Sequence, residues 1–483
     1  MTDAFADDAG RGRGEMHVRS RRVPAWAPFA SIRGVARGLV LAAALLAACG
    51  PVVTSEPSPS ATALDASSTT PTPSVSPATG SVEAAPGSDS AVYPENPGAI
   101  VVAIDAGHGG CLDWGVPDPS ERGVELAEKT LTLGIAQRLR ELLVSDGIGV
   151  LIIRDADVAL AGDNEPAFGC DGPAWRDVDG DGRSGFEETG RIRTRDELQA
   201  RIDLANLARA DVLISIHINS LTQDGVAFEI AATQTFYDDE TPWGASSGSL
   251  AESLQSGVVA AIEPLATYDR EDRGTDAVAF YAISRQWQDG DTCETPGDTW
   301  CKPHRALAMP GALAEVGSIN LRDEHDLLAS ADGQDAVAAG LFEGLVAHFG
   351  ARDLAARIGF ENEVPGDRPD ELDGLGPPFD APVLESPVRL RLTNTGTEPW
   401  PDGMALVIGW EVTDLPYLPQ PPNALVPLGN EIPALAPGES VVVEATLPAA
   451  PSGRSVAWIG LQAGNDLLAD AGSPALQLSS RPD

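Results

Sequence analysis

The sequence predicts an α/β domain, a mixed sheet flanked by helices, followed by a small all-β sandwich. Two observations carry that prediction. From Ala99 to about Gly350, short apolar runs alternate with segments of helical period, which argues for a sheet covered on both faces. After residue 351 the pattern changes to short alternating strands parted by turn residues, as in a sandwich. The length agrees, because 483 residues exceed one ordinary domain.

At the start of the chain, Arg19, Arg21, Arg22, Arg33 and Arg37 precede an apolar run from Leu39 to Ala48. The run is too short to span a bilayer and suits the core of a signal peptide. Its ending, Leu46-Ala47-Ala48-Cys49, resembles a bacterial lipobox. That resemblance implies cleavage before Cys49 and a lipid on its thiol. Residues 1–49 are therefore expected to export the chain and anchor it to the outer face of the cell membrane. The plainer alternative is a signal peptide with an incidental cysteine. Residues 50–97, rich in Ser, Pro, Thr and Ala with no apolar period, read as a disordered tether.

The α/β domain is expected over residues 98–350. Ile100–Ile104, Val150–Ile153, Val212–Ile216 and Ala312–Ala314 read as short buried strands. Leu131, Ile135, Leu139 and Leu142 recur at helical spacing, and Leu198–Ala208 and Gln334–Phe349 also fit helices. Residues 351–381, rich in Pro, Gly and acids, read as a linker. Within 382–483, strands are expected at Val388–Leu392, Ala405–Trp410, Ser440–Thr446 and Ser455–Leu461. The stretch Asn394-Thr395-Gly396-Thr397-Glu398-Pro399-Trp400 resembles a turn of bacterial Ig-like accessory domains, so the sandwich is expected to be Ig-like. Nothing in its residues identifies a binding partner.

The net charge of −40, from 72 acids against 32 bases, excludes nucleic acid as a partner, because holding phosphates needs clustered Lys and Arg. After Cys49 the chain keeps Cys111, Cys170, Cys293 and Cys301. An even count in an exported chain suggests two disulfides, with three pairings open. Cys293 and Cys301 lie close enough in sequence to close one loop, which leaves Cys111 for Cys170. A thiolate zinc site is the rival reading, but no Cys-x-x-Cys spacing supports it.

Three features of the α/β domain converge on metal chemistry. Asp105-Ala106-Gly107-His108-Gly109-Gly110 directly follows a strand, and its glycines let the backbone turn sharply around an uncovered imidazole. Glu128 falls on the apolar stripe of the first helix, where a carboxylate is costly to bury without a cation or strong hydrogen bonds. His217 lies in Val212-Leu213-Ile214-Ser215-Ile216-His217-Ile218-Asn219-Ser220, sharing one strand face with Leu213, Ser215 and Asn219. Each taken singly has a bland reading, a surface or a hydrogen-bonded core residue. Two imidazoles and a carboxylate together form the Zn2+ set of many hydrolases. Glu315 ends a predicted strand, where active sites of open α/β sheets gather, and could move protons as general base and acid. Asn219 is a candidate for orienting the substrate.

Together these segments resemble the zinc-dependent N-acetylmuramoyl-L-alanine amidases of the type-3 amidase family, over about residues 99–350. The matching segments occur in the family's order. They are Asp105 to Gly110, Glu128-Lys129-Thr130-Leu131-Thr132-Leu133, Arg154-Asp155-Ala156-Asp157, Arg201 to Asn206 with Ser215 to Asn219, and Ala314-Glu315-Val316-Gly317-Ser318-Ile319-Asn320. The resemblance implies His108, Glu128 and His217 as zinc ligands and Glu315 as catalytic residue. It also implies peptidoglycan as substrate, cut at the amide between N-acetylmuramic acid and L-alanine. The alternative is a non-catalytic peptidoglycan-binding or adhesion lipoprotein on the same fold. Such relatives usually lose a ligand or the glutamate, and all four residues are present here.

The chain departs from the family in an insertion at about 158–196. There Asp177, Asp179, Asp181, Arg183 and Glu188 fall at EF-hand loop positions 1, 3, 5, 7 and 12, making Ca2+ a second expected ion. Ser184 stands where the motif is usually apolar, and an ordinary acidic loop is the alternative. His304 and His325 read as surface residues rather than ligands.

Overall fold

The computed structural model describes residues 100–110, 113–116, 123, 126–161, 176–179, 194–220, 222–223, 226–284, 305–361, 387–413, 418 and 420–480. The expected signal peptide with Cys49, the tether, the four later cysteines and His304 lie outside the described residues.

In the first domain, β1 (Val101–Ala106) leads to α1 (Glu128–Ser145), then β2 (Gly149–Ile152), α2 (Arg195–Leu207) and β3 (Val212–Asn219). A two-stranded ribbon, β4 (Thr222–Gln223) and β5 (Val226–Ala227), precedes β6 (Ala231–Tyr237), α3 (Gly244–Ile262) and β7 (Arg270–Ala277). A 3-10 turn at Tyr281–Ile283, β8 (Gly311–Ser318), α4 (Arg322–Ala329) and α5 (Ala331–Gly350) complete it. The sheet runs in the order β2-β1-β3-β8-β6-β7, parallel throughout except where β8 meets β6. It is the mixed, helix-flanked sheet expected. No helix among the described residues is long and apolar enough to cross a membrane.

Both faces of the sheet are covered, which is why its central strands read as unbroken apolar runs. Alternate β1 side chains serve opposite cores. Val102 and Ile104 join Leu131, Ile135, Leu139 and Leu143 of α1 with apolar residues of α3 and α5, whereas Val101 and Ala103 join Ala200, Ile202 and Leu204 of α2.

The expected strands and helices are present, with ends shifted by a few residues. The segment between β3 and β8 carries elements that periodicity does not show. In β6, Thr233, Gln234 and Thr235 are buried, and their side chains are satisfied by Val316 O, Asp276 Oδ2 and Gln255 Oε1 at 2.9–3.1 Å. Strand β7, Arg-Glu-Asp-Arg-Gly-Thr-Asp-Ala, is charged because it is the sheet's edge. Helix α3 is rich in Gly and Ser, poor helix formers. Those small residues let it lie directly on α5. A Cβ on Gly257 would strike the Gly340 carbonyl, and one on Gly344 the Ser253 carbonyl.

The second domain begins earlier than its composition suggests. Residues 356–360, expected as linker, form β9 (Ala356–Phe360), antiparallel to β10 (Val388–Asn394). The remaining strands are β11 (Met404–Val412), β12 (Val426–Pro427), β13 (Ser440–Ala445), β14 (Ser455–Ala463), β15 (Asp466–Leu467) and β16 (Leu476–Ser480). One sheet runs β13-β10-β9. The other runs β12-β11-β14-β15, with β16 also on β14. Both line one core, through Ile358, Leu390 and Leu392 from the first and Leu406, Ile459 and Leu478 from the second, so the domain is a β-sandwich. The Asn394–Trp400 segment is a tight turn. Asn394 Nδ2 donates to Glu398 O and Leu435 O, and the buried Trp400 Nε1 donates to Ala355 O.

The sandwich docks at the amino ends of the central strands. Arg357 Nη1 of β9 donates to Arg209 O at 2.8 Å and lies 3.3 Å from Asp211 Oδ2, just before β3. Gly472 sits against Ser246 and against Pro310, just before β8. This leaves the opposite, carboxyl end of the sheet for chemistry.

A candidate metal centre

At its carboxyl end β1 runs into Gly107-His108-Gly109-Gly110. His108 has φ 64°, a left-handed conformation that costs a non-glycine residue energy unless its surroundings enforce it. Two buried guanidinium groups enforce it. Arg154 donates to Ala106 O, Gly107 O and Lys129 O at 2.6–2.9 Å. Arg201 donates to Ala106 O and His108 O at 2.9 and 2.6 Å and pairs with Asp105, whose other oxygen accepts from Ser215 Oγ at 2.7 Å. Gly107 has no room for a side chain, because a Cβ would strike the His217 ring.

Glu128 is the first residue of α1 and is 3 % exposed. Its Oε2 accepts from Val116 N at 2.8 Å and its Oε1 from Ile218 N at 2.9 Å, so a loop and β3 both aim it. His217 stands on β3 directly beside Glu315 of β8. His108 Nε2, Glu128 Oε1 and His217 Nδ1 converge, at 3.0 Å between the nitrogens, 3.1 Å from His108 to Glu128 and 3.3 Å from His217 to Glu128. The three residues predicted from sequence thus form one group able to hold a metal ion. The donor set, two imidazoles and a carboxylate, fits zinc and leaves a fourth position open.

The other His108 nitrogen, Nδ1, lies 2.7 Å from Asp113 Oδ1. A carboxylate there fixes the ring and strengthens its opposite nitrogen as a ligand. Asp113 escapes sequence reading, although it stands only five residues from His108. The roles of Arg154, Arg201 and Asp105 escape it too, because their partners are distant in the chain.

The charged groups of the site act strongly on one another. Burial alone would lower the pKa of His108, but Asp113 and Glu128 outweigh it and lift the imidazole well above its ordinary value. Burial opposes the charge of Glu128, yet the charge and hydrogen bonds of His108 and then of His217 hold it below the carboxylate range. Glu315 goes the other way. Burial and then the negative charge of Glu128 push it well above the usual carboxylate range, against a smaller opposing effect of His108. It is 7 % exposed, and its Oε2 has no hydrogen-bond partner among the described residues. Asn219 is buried on the same strand as His217, and its Oδ1 is likewise without a partner.

Of the predicted calcium residues, Asp177 and Asp179 are described, whereas Asp181, Arg183 and Glu188 lie outside the described residues. The structure brings the first two to Asp196 of α2, which sequence spacing does not reveal. Protein donors already engage this group. Asp196 Oδ1 accepts from Val178 N and Asp179 N at 2.7 and 3.0 Å, and Arg195 Nε lies 3.4 Å from Asp179. His325, read as a surface residue, is 1 % exposed. Its Nε2 lies 2.8 Å from Leu126 O, just ahead of α1, where it braces the helix that begins with Glu128.

Two measurements test this scaffold. Arg201→Met leaves Asp105 buried without its cation and frees the His108 carbonyl, so denaturant unfolding is expected to show a loss of about 3–5 kcal/mol. A fully stable variant would contradict the support assigned to Arg201. The second concerns Glu315 in chelator-treated protein. Its folded pKa lies above its unfolded value, so the folded state keeps a proton the unfolded state loses, and stability falls as pH rises between the two. Glu315→Gln removes that loss. Its melting temperature should exceed that of the wild type by a margin that widens from about pH 5 to about pH 8. A constant margin would mean that Glu315 is not buried as a neutral acid.

Comparison with known proteins places this geometry. The family model described as N-acetylmuramoyl-L-alanine amidase (Amidase_3) matches residues 102–347, just over half of the chain. The germination-specific N-acetylmuramoyl-L-alanine amidase of Bacillus subtilis is 25 % identical over 249 residues, spanning 52 % of this chain and 79 % of that protein. The sporulation-specific N-acetylmuramoyl-L-alanine amidase of the same organism is 26 % identical over 259 residues, spanning 53 % and 71 %. Among solved structures, the CwlD amidase of Clostridioides difficile, determined with the GerS lipoprotein, is 21 % identical with a TM-score of 0.36. That match covers 52 % of this chain and 98 % of that one. The chain, from β1 to the end of α5, belongs to the N-acetylmuramoyl-L-alanine amidase family.

Proposed function

We infer that the chain hydrolyses the amide bond between N-acetylmuramic acid and L-alanine in peptidoglycan, using a zinc ion held by His108 Nε2, Glu128 Oε1 and His217 Nδ1. The observation that carries this reading is the convergence of those three atoms beside a buried Glu315 whose Oε2 has no partner among the described residues. Zinc, when bound, supplies a Lewis acid that polarises a carbonyl and acidifies water. The chain's own residues do the rest. Asp113 holds the His108 ring, Val116 N and Ile218 N hold the Glu128 carboxylate, and Arg154 and Arg201 keep the loop in its turned conformation. Glu315, whose Oε2 has no hydrogen-bond partner among the described residues, takes a proton from the attacking water in its ionised form and delivers it to the departing alanine nitrogen. Asn219, whose Oδ1 has no partner among the described residues, is read as orienting the substrate or a ligand. Export with a lipid on Cys49 would bring the enzyme to its substrate in the cell envelope, and the sandwich is read as an Ig-like accessory module.

Muropeptide analysis tests the proposal. The purified chain is incubated with peptidoglycan, with and without a chelator, and the chelated sample is then resupplied with zinc. Stem peptides with free L-alanine amino termini are expected, lost on chelation and restored by the metal. Zinc binding without release of peptides would overturn it in favour of a non-catalytic wall-binding protein.

A further inference from the structure

Trp114 is 42 % exposed, one of the large apolar side chains that the fold leaves open. Its neighbours bind it to the metal centre. Asp113 holds His108, and a Cβ on Gly115 would strike Glu128 and the His108 ring. Next along the chain, Val116 N holds Glu128. Residue 114 therefore sits on the rim of the site, in a segment that packs directly on two of the three ligand residues. Its ring is also held in place. Lys129 Nζ stands 4.4 Å from the ring centroid and is itself pinned by Gly110 O and Asp157 Oδ2 at 2.7 Å each. A cation on one side orients an indole through its electron-rich face and leaves the rest of the ring presented outward.

Resting on the amidase reading, we propose that Trp114 is a sugar-stacking subsite, a platform that takes a neutral pyranose ring of the glycan strand beside the scissile amide. The substrate has two halves. The stem peptide carries carboxylates, and the cation against Trp114, Lys129, is 3 % exposed and engaged by Gly110, Asp157 and Trp114 itself, in a chain of net charge −40. The glycan is neutral once its lactyl carboxyl is tied up in the amide. Its C–H edges carry the weak positive charge that an indole face attracts, and covering that face removes apolar surface from water.

The test uses the full chain with Trp114→Ala and Trp114→Phe, checking first that zinc content matches the wild type. Binding of peptide-free glycan oligomers, and separately of a free stem peptide, is measured by calorimetry. Trp114→Ala is expected to weaken glycan binding about tenfold, with Trp114→Phe between it and the wild type and peptide binding unmoved. In hydrolysis of glycan-bearing muropeptides, the alanine variant should raise KM more than it lowers kcat. Unchanged glycan binding, or a loss confined to the free peptide, would overturn the proposal. Glycan binding that depends on Trp114 in a chain that releases no stem peptides would support the subsite while removing the amidase reading, so the two can fail separately.

Discussion

His217→Ala is expected to reduce peptide release to the level of the chelated protein and to strip the chain of zinc. Among the described residues, His217 supplies one of three donor atoms that converge at the centre. It also lies within hydrogen-bond distance of both other ligands, so its loss removes a donor without leaving a substitute. Zinc sites of about 10–16 kcal/mol spread over four donors lose about 3 kcal/mol with one of them, which lowers affinity by a hundredfold or more. Competition against a chromophoric chelator reads the affinity directly. Because Glu128 keeps its hydrogen bonds from Val116 N and Ile218 N, the variant should stay folded, and circular dichroism checks this. Undiminished zinc affinity would show that these residues are not the ligand set.

Glu315→Gln should leave zinc content and KM nearly as they are and lower kcat by about 10²–10⁴-fold, the usual contribution of a positioned general acid–base. Glutamine keeps the shape of the side chain, so packing between β8 and β6 is undisturbed, but it can neither take nor return a proton. The location supports a large effect. Glu315 pairs in register with His217, and its carboxyl feels the charges of Glu128 and His108 without belonging to the converging trio. A kcat within a few-fold of the wild type would assign proton transfer to another group.

Much of this site is legible along the chain because its signals are local. Apolar runs betray β1, β3 and β8, since both sheet faces are buried. The stripe of α1 reveals a carboxylate in a place only a cation or strong donors would justify. The glycines beside His108 announce a sharp turn at a strand end. What the linear sequence does not contain is the partner of each polar group. Arg201 reaches His108 O across 93 positions, and Arg305 closes on Asp203 across 102. Such pairs exist only once the sheet order β2-β1-β3-β8-β6-β7 brings the strands side by side.

The same reason accounts for the elements that the sequence leaves unread or misreads. Thr233, Gln234 and Thr235 carry no apolar strand pattern, yet they are core residues because their hydrogen bonds are met inside. Gly257, Gly340 and Gly344 look like helix breakers, but they permit α3 and α5 to touch backbone to backbone. β9 looks like linker until β10 pairs with it, and His325 looks like a surface residue until its Nε2 meets Leu126 O. The sequence by itself determined the fold class and singled out His108, Glu128, His217 and Glu315 as candidates, because periodicity and residue chemistry are local. Only the tertiary structure decided which side chains brace the His108 loop, which nitrogen of each histidine turns toward Glu128, and where the sandwich docks. Those properties depend on distances between residues far apart in the chain.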